Sequence, residues 1–233
     1  MSGLTSVGII ILVMLIQGFL QLKPGVFLLF RHYASARHSA KKVFDLNGFF
    51  FMGVETITAI FLMLTFFAVF ALCPSGVFDT TIFKWIEAIL MIILGIAAFF
   101  CYFRHKRGTE LFIPRRLESS LEHLAKNVKT GSDAFALGVV STIGEFMWSL
   151  PLYFVFLIEV LNFEELIVPP LLMVLFILIS IISMLVIRFK FGSGYNLAEV
   201  QRTRVKNREF YRLIISVSYL IIATIIITFR ILA

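Results

Sequence analysis

Apolar residues fall in six long stretches, roughly 5–30, 48–72, 85–103, 134–160, 168–187 and 212–231. Each is long enough to cross about 30 Å of hydrocarbon as a helix. Gly and Pro are sparse within most of them, and none shows the polar–apolar alternation of a barrel strand. The pattern predicts an all-α polytopic membrane protein with six transmembrane helices.

The loops give the direction. Arg31, Arg37, Lys41 and Lys42 follow the first span. Arg104, Lys106, Arg107, Arg115, Arg116, Lys126 and Lys129 follow the third. Arg188, Lys190, Arg202, Arg204, Lys206 and Arg208 follow the fifth. The remaining loops, CPSGVFDTT and LNFEEL, hold no Lys or Arg. Basic loops stay cytoplasmic, so both termini are expected outside. Arg230 is the one basic residue against the rule, and snorkelling to the interface would accommodate it. The central loop, RRLESSLEHLAKNV, repeats Leu117, Leu121, Leu124 and Val128 on one helical face, with Pro114 placed for the first turn. It predicts an amphipathic helix on the membrane surface, either a linker or a partner-binding element.

Three spans, a linker and three spans divide the chain into halves at 1–108 and 133–233, joined by 109–132. An odd number of spans per half inverts one half relative to the other, an arrangement common in secondary transporters. GFLQLKPGVFLLF (18–30) lies on EFMWSLPLYFVFL (145–157) without gaps, matching Phe19, Pro24 and Phe27 to Phe146, Pro151 and Phe154. Proline removes a backbone donor and clashes with the carbonyl four residues earlier. Lys23-Pro24-Gly25 and Pro151 therefore predict a break in the first helix of each half, serving either packing or a central site.

Composition agrees with the membrane reading. Hydrophobic residues make up 60% of the 233, charged residues 15%, and mean hydropathy is +0.97; a soluble domain carries about 25% charged residues. The net charge of +7 sits in short loops beside the spans, which argues for topology signals and against nucleic-acid binding. Cys73 and Cys101 form no CxxC, so neither a disulfide framework nor a zinc site is expected. MSGLTS lacks a positive n-region and no small-residue cleavage site follows, so the first span is expected to be retained.

Charges within spans are costly and require partners. Glu145 lies near the middle of the fourth span, and Glu55 and Lys23 sit toward the cytoplasmic halves of the second and first. Lys23 and Glu55 lie at similar depth and could pair. Asp133 stands at the entrance of the fourth span, either as a helix cap or as part of a site. Glu87 and Glu159, near outer span ends, read as solvated; Trp85 and Tyr211 read as interfacial anchors, and Trp148 as packing. His32, His38, His105 and His123 fall in loops without metal-site spacing. GxSxG, Walker A, GxGxxG and HExxH are all missing from the sequence, so no enzyme, cofactor or metal site is expected.

Pro24-Gly25 in the first span, the basic loop after it, FFFMGVET, Pro151, and SDAFALG together resemble the lysine exporter superfamily of small six-span membrane proteins. SDAFALG is similar to the aspartate-bearing segment of its manganese exporters. The resemblance implies export of an amino acid or metal ion. Thiol–disulfide carriers of that superfamily place cysteine beside the prolines of the first and fourth spans. Here those neighbours are Lys23 and Leu150, which excludes that route. The manganese exporters use several intramembrane aspartates, for which Glu145 and Glu55 would have to substitute.

The expectation is a small transporter of a solute or cation in the cell membrane. Its site would lie between the halves near Lys23, Pro24, Gly25, Glu55, Asp133, Glu145 and Pro151. A non-transporting scaffold is the alternative, and homo-oligomerisation is left open.

Overall fold

A computed structural model describes residues 3–19, 40–72, 80–101, 115–161, 163, 165, 167–192 and 208–232. All regular structure among them is helical: α1 (Gly3–Phe19), α2 (Ala40–Leu72), α3 (Thr81–Cys101), α4 (Arg115–Asn127), α5 (Gly131–Leu161), α6 (Val168–Gly192) and α7 (Arg208–Ile226). A wider π turn, Ile227–Ile231, follows α7. Asp45–Ala71, Thr81–Phe100 and Leu213–Ile231 are each long and apolar enough to cross a membrane. The bent pair Gly131–Gly144 and Ser149–Leu161 makes a fourth if taken as one span, and Ser6–Gly18 and Val168–Ile179 are shorter apolar helices. The protein is thus a multi-pass helical membrane protein.

Helix starts follow local chemistry. The Thr80 hydroxyl accepts from the Phe83 N–H at the start of α3. At α5, Asp133 accepts from the Lys129 and Thr130 N–H groups at 3.0 and 2.9 Å, while Thr130 Oγ1 accepts from the Asp133 N–H. This reciprocal arrangement satisfies free amides at the helix entrance. α5 is bent by 79° between its two segments. The bend occupies the turn before Pro151, where the missing N–H and the ring break the ladder.

Packing joins the front of the chain to the back. The main partners are α2 with α5, α3 with α7, and α1 with α5, α6 and α7; α2 also meets α6, and α3 meets α5. Exchanging α1 with α5, α2 with α6 and α3 with α7 maps each of these pairs onto itself or onto another of the set. Among the described residues, α5 with α6 is the main pairing that falls outside this pattern, apart from the docking of α4 on α5. Helix-pair packing of this kind suggests a repeat.

Two close crossings set the frame. A Cβ on Gly53 would run into the Phe135 backbone, and one on Gly138 into the Phe50 carbonyl, so α2 and α5 touch backbone to backbone. The Phe49 ring lies against Gly131, and the Phe61 and Phe146 rings are 4.0 Å apart. Contacts thus advance together along both helices, and α2 and α5 run parallel. In the second crossing, Ser216 Oγ donates to the Gly95 carbonyl at 2.7 Å and Leu220 lies against Gly95. Glu87 meets Arg230 further along, so α3 and α7 run antiparallel. Small residues allow such approach where lipid supplies no hydrophobic drive between helices.

α4 docks on α5. Leu121, Ala125 and Val128 are buried, whereas Leu124 is exposed; the Leu117 side chain and Pro114 lie outside the described residues. Of the apolar face read from the sequence, Leu121 and Val128 are covered by the protein itself and Leu124 is not.

Substituting Gly138→Val should destabilise the protein by about 1–3 kcal/mol or more through overpacking. Gly8→Ala, where a Cβ meets nothing within 4 Å, should leave thermal melting in detergent near wild type. Equal melting of the two variants would refute the close crossing.

Candidate functional site

Hydroxyls in the spans mostly answer to their own helix. Thr58, Thr65, Ser141, Thr142 and Thr224 each donate to a carbonyl three or four residues earlier. Set apart from these, two buried polar clusters tie different helices together.

The first lies where α1 meets α5, just past the bend. Gln17 Nε2 is 3.4 Å from Ser149 Oγ and 3.5 Å from Tyr153 Oη, and donates to both. All three are buried, and Gln17 Oε1 has no hydrogen-bond partner. Pro151, also buried, stands between Ser149 and Tyr153 in the sequence. Phe176 of α6 packs edge-on against Tyr153 and tilted on Phe156. The wall is therefore an amide and two hydroxyls backed by aromatic rings, with one acceptor free.

The second lies at the other end of α5. Arg230, on the π turn, places Nη1 2.7 Å from Glu87 Oε2 of α3 and 3.3 Å from Glu159 Oε1 of α5. The three side chains are 1%, 5% and 0% exposed. This corrects the sequence reading on all three. Glu87 and Glu159 are not solvated, and Arg230 does not snorkel. A guanidinium and two carboxyls at matching depth gain more by meeting inside the bundle than by facing lipid singly. The π turn is closed by the Leu232 N–H on the Ile227 carbonyl at 3.0 Å. It holds Arg230 on the buried stripe of Tyr219, Ile222 and Ile226 and leaves Phe229 outside.

The residues expected from sequence fall variously. Lys23, Pro24 and Gly25 lie outside the described residues, and with them the proposed Lys23–Glu55 pair. Glu145 belongs to the bent stretch of α5, but its side chain is outside the described residues, as are those of Trp148 and Tyr211. Glu55 is half-buried on α2, two residues from the Gly53 crossing. Asp133 is exposed and caps α5. Trp85 is exposed, and His123 is exposed beside Asn127. Of the described members of the set, Pro151 is the buried one, between Ser149 and Tyr153 in the sequence. Groups of three or more potential metal ligands are not found among the described residues.

The sequence reading missed Gln17; the available signal was a polar amide closing the apolar run Ile9–Ile16. The triad had a fainter signal: Arg230 broke the charge rule at the same depth as two acids.

No family model matches the chain, and no curated protein or solved structure is significantly similar to it. What the structure supports is an all-α protein with several long apolar helices, an architecture that singles out no exporter family.

Replacing Arg230 with Met strands two buried carboxyls. The loss should be about 3–5 kcal/mol, read as a lower melting temperature. Adding Glu87→Gln and Glu159→Gln to Arg230→Met should restore much of it. Wild-type melting of Arg230→Met alone would show that the triad does not form.

Proposed function

We propose that the chain is a small secondary transporter, not an enzyme, that moves a small solute or cation across the cell membrane. On this reading it crosses six times, with residues 1–108 and 133–233 as inverted halves, basic loops in the cytoplasm and both termini outside. The observation that carries the reading is the packing pattern, in which nearly every helix pair joins one half to the other and is preserved when the halves are exchanged. The helix directions fit as well. Parallel α2 and α5 suit the second and fourth of six alternating spans, and antiparallel α3 and α7 suit the third and sixth.

The substrate site in this reading is the Gln17–Ser149–Tyr153 cluster beside Pro151. It sits where the first helix of one half crosses the first helix of the other, the usual place for a transporter site. Lys23, Pro24, Gly25 and Glu145 are proposed as further members of the site on the sequence pattern alone. Rocking of one half against the other would open it to each side in turn. The free Gln17 Oε1 supplies an acceptor for a substrate N–H or a cation. The scaffold alternative predicts instead that the segment 115–129 matters more than the intramembrane acids.

The test is exchange in reconstituted vesicles, using labelled basic and neutral amino acids and divalent cations as probes. Wild type should exchange at least one probe faster than empty vesicles, and no exchange of any probe would sink the transporter reading. Gln17→Leu should lower that exchange about tenfold, the equivalent of one buried hydrogen bond of ~1.4 kcal/mol, and Glu145→Gln should abolish it. Undiminished exchange in Gln17→Leu would move the site elsewhere.

A further inference from the structure

The triad at the far end of α5 is left unused by the transport site. Its charge count does not balance. Two carboxyls and one guanidinium, all withdrawn from solvent, leave one negative charge without a counterion if both acids ionise. A buried charge in that position neutralises itself rather than remaining unpaired.

The geometry leaves room for that neutralisation. Arg230 Nη1 makes its one hydrogen bond to Glu87 Oε2. Glu87 Oε1 and both oxygens of Glu159 have no hydrogen-bond partner, although Glu159 lies within ion-pair distance of the guanidinium. Glu159 also occupies the last turn of α5, which ends at Leu161. Free carbonyls there carry a negative partial charge that opposes a second carboxylate.

Among the described residues, no other charged group forms an ion pair with the triad. On α3, Lys84 stands one turn from Glu87, half-exposed, and makes no ion pair with either acid among the described residues. On α5, Asp133 caps the opposite end and Glu145 belongs to the bend. On α7, Arg208, Glu209 and Arg212 lie at the start of the helix, away from the π turn. α1, which packs against α7, has no ionisable side chain from Gly3 to Phe19.

We propose that Glu87 and Glu159 share one exchangeable proton, which makes the triad a proton-binding site. With the proton bound, two carboxyls, one proton and one guanidinium sum to zero, and the ends of α3, α5 and α7 are held together. When the proton leaves for water, the excess negative charge drives the two acids apart. Since α3 belongs to the first half and α5 and α7 to the second, the proton governs a contact between halves. Only its link to transport rests on the function proposed above; proton binding does not.

Infrared spectroscopy of the purified full chain in lipid, titrated with pH and without added solute, tests this directly. The expected result is a protonated-carboxyl C=O band at neutral pH that disappears as pH rises. Both Glu87→Gln and Glu159→Gln should lack it, because either single acid left beside Arg230 ionises. That double loss is not expected of an isolated protonated acid elsewhere. No band in the wild type, or a band kept in both variants, would overturn the proposal. So would a missing band together with a melting temperature raised by sodium chloride over choline chloride, which would assign the site to a metal cation.

A second readout follows the contact itself. Deuterium exchange at the start of α3 and at Ile227–Ile231, corrected for intrinsic rate, should rise in the wild type once the band is lost. It should stay level in Glu159→Gln; the same rise in both proteins would overturn the proposed contact. Because no solute is present, failure here leaves the vesicle exchange experiment to judge transport separately.

Discussion

Hydrocarbon offers no hydrogen bonds, and every feature of this bundle answers to that constraint. A polar group within an apolar span must be satisfied by its own helix, satisfied by another helix, or neutralised. The threonines and serines that bond back to their own carbonyls take the first course and place no demand on the fold. Gln17 and Arg230 cannot take it, because an amide and a guanidinium carry more donors than one helix turn accepts. They draw partners from across the bundle, Gln17 from α1 to α5 and Arg230 from the turn after α7 to α3 and α5, beside the hydroxyl that Ser216 of α7 gives to Gly95 of α3.

The same constraint explains the two glycine crossings. With lipid as solvent, burying one apolar helix against another gains little, and close packing must supply the attraction. Gly53 and Gly138 allow α2 and α5 to touch backbone to backbone, and Gly95 offers its carbonyl to Ser216. These contacts leave α1 and α6 to close around the bent part of α5. The bend then does two things at once. It presents Ser149 and Tyr153 to Gln17 and carries Glu159 away to the end shared with Glu87 and Arg230.

The two clusters therefore lie on one bent helix, one at the bend and the other at its end. The first is neutral and hydrogen-bonding. The second is ionic and buried. One helical segment, Ser149–Leu161, carries residues of both clusters.

Several features were legible in the chain alone. Long apolar stretches require a bilayer, so the helical, multi-pass class follows from composition and length. Pro151 announced the bend because a missing N–H acts locally, and SDAFALG announced a helix start because capping uses neighbouring residues. Partnership between Glu87, Glu159 and Arg230 was not legible. Each looked like an isolated charge near a span end, for which water is the cheapest partner. Only the antiparallel meeting of α3 and α7, with α5 ending beside them, brings the three within bonding distance. Local chemistry decides how each helix begins, bends and faces lipid. Which charges are buried together depends on helix order and direction in the bundle, and that was decided by tertiary packing.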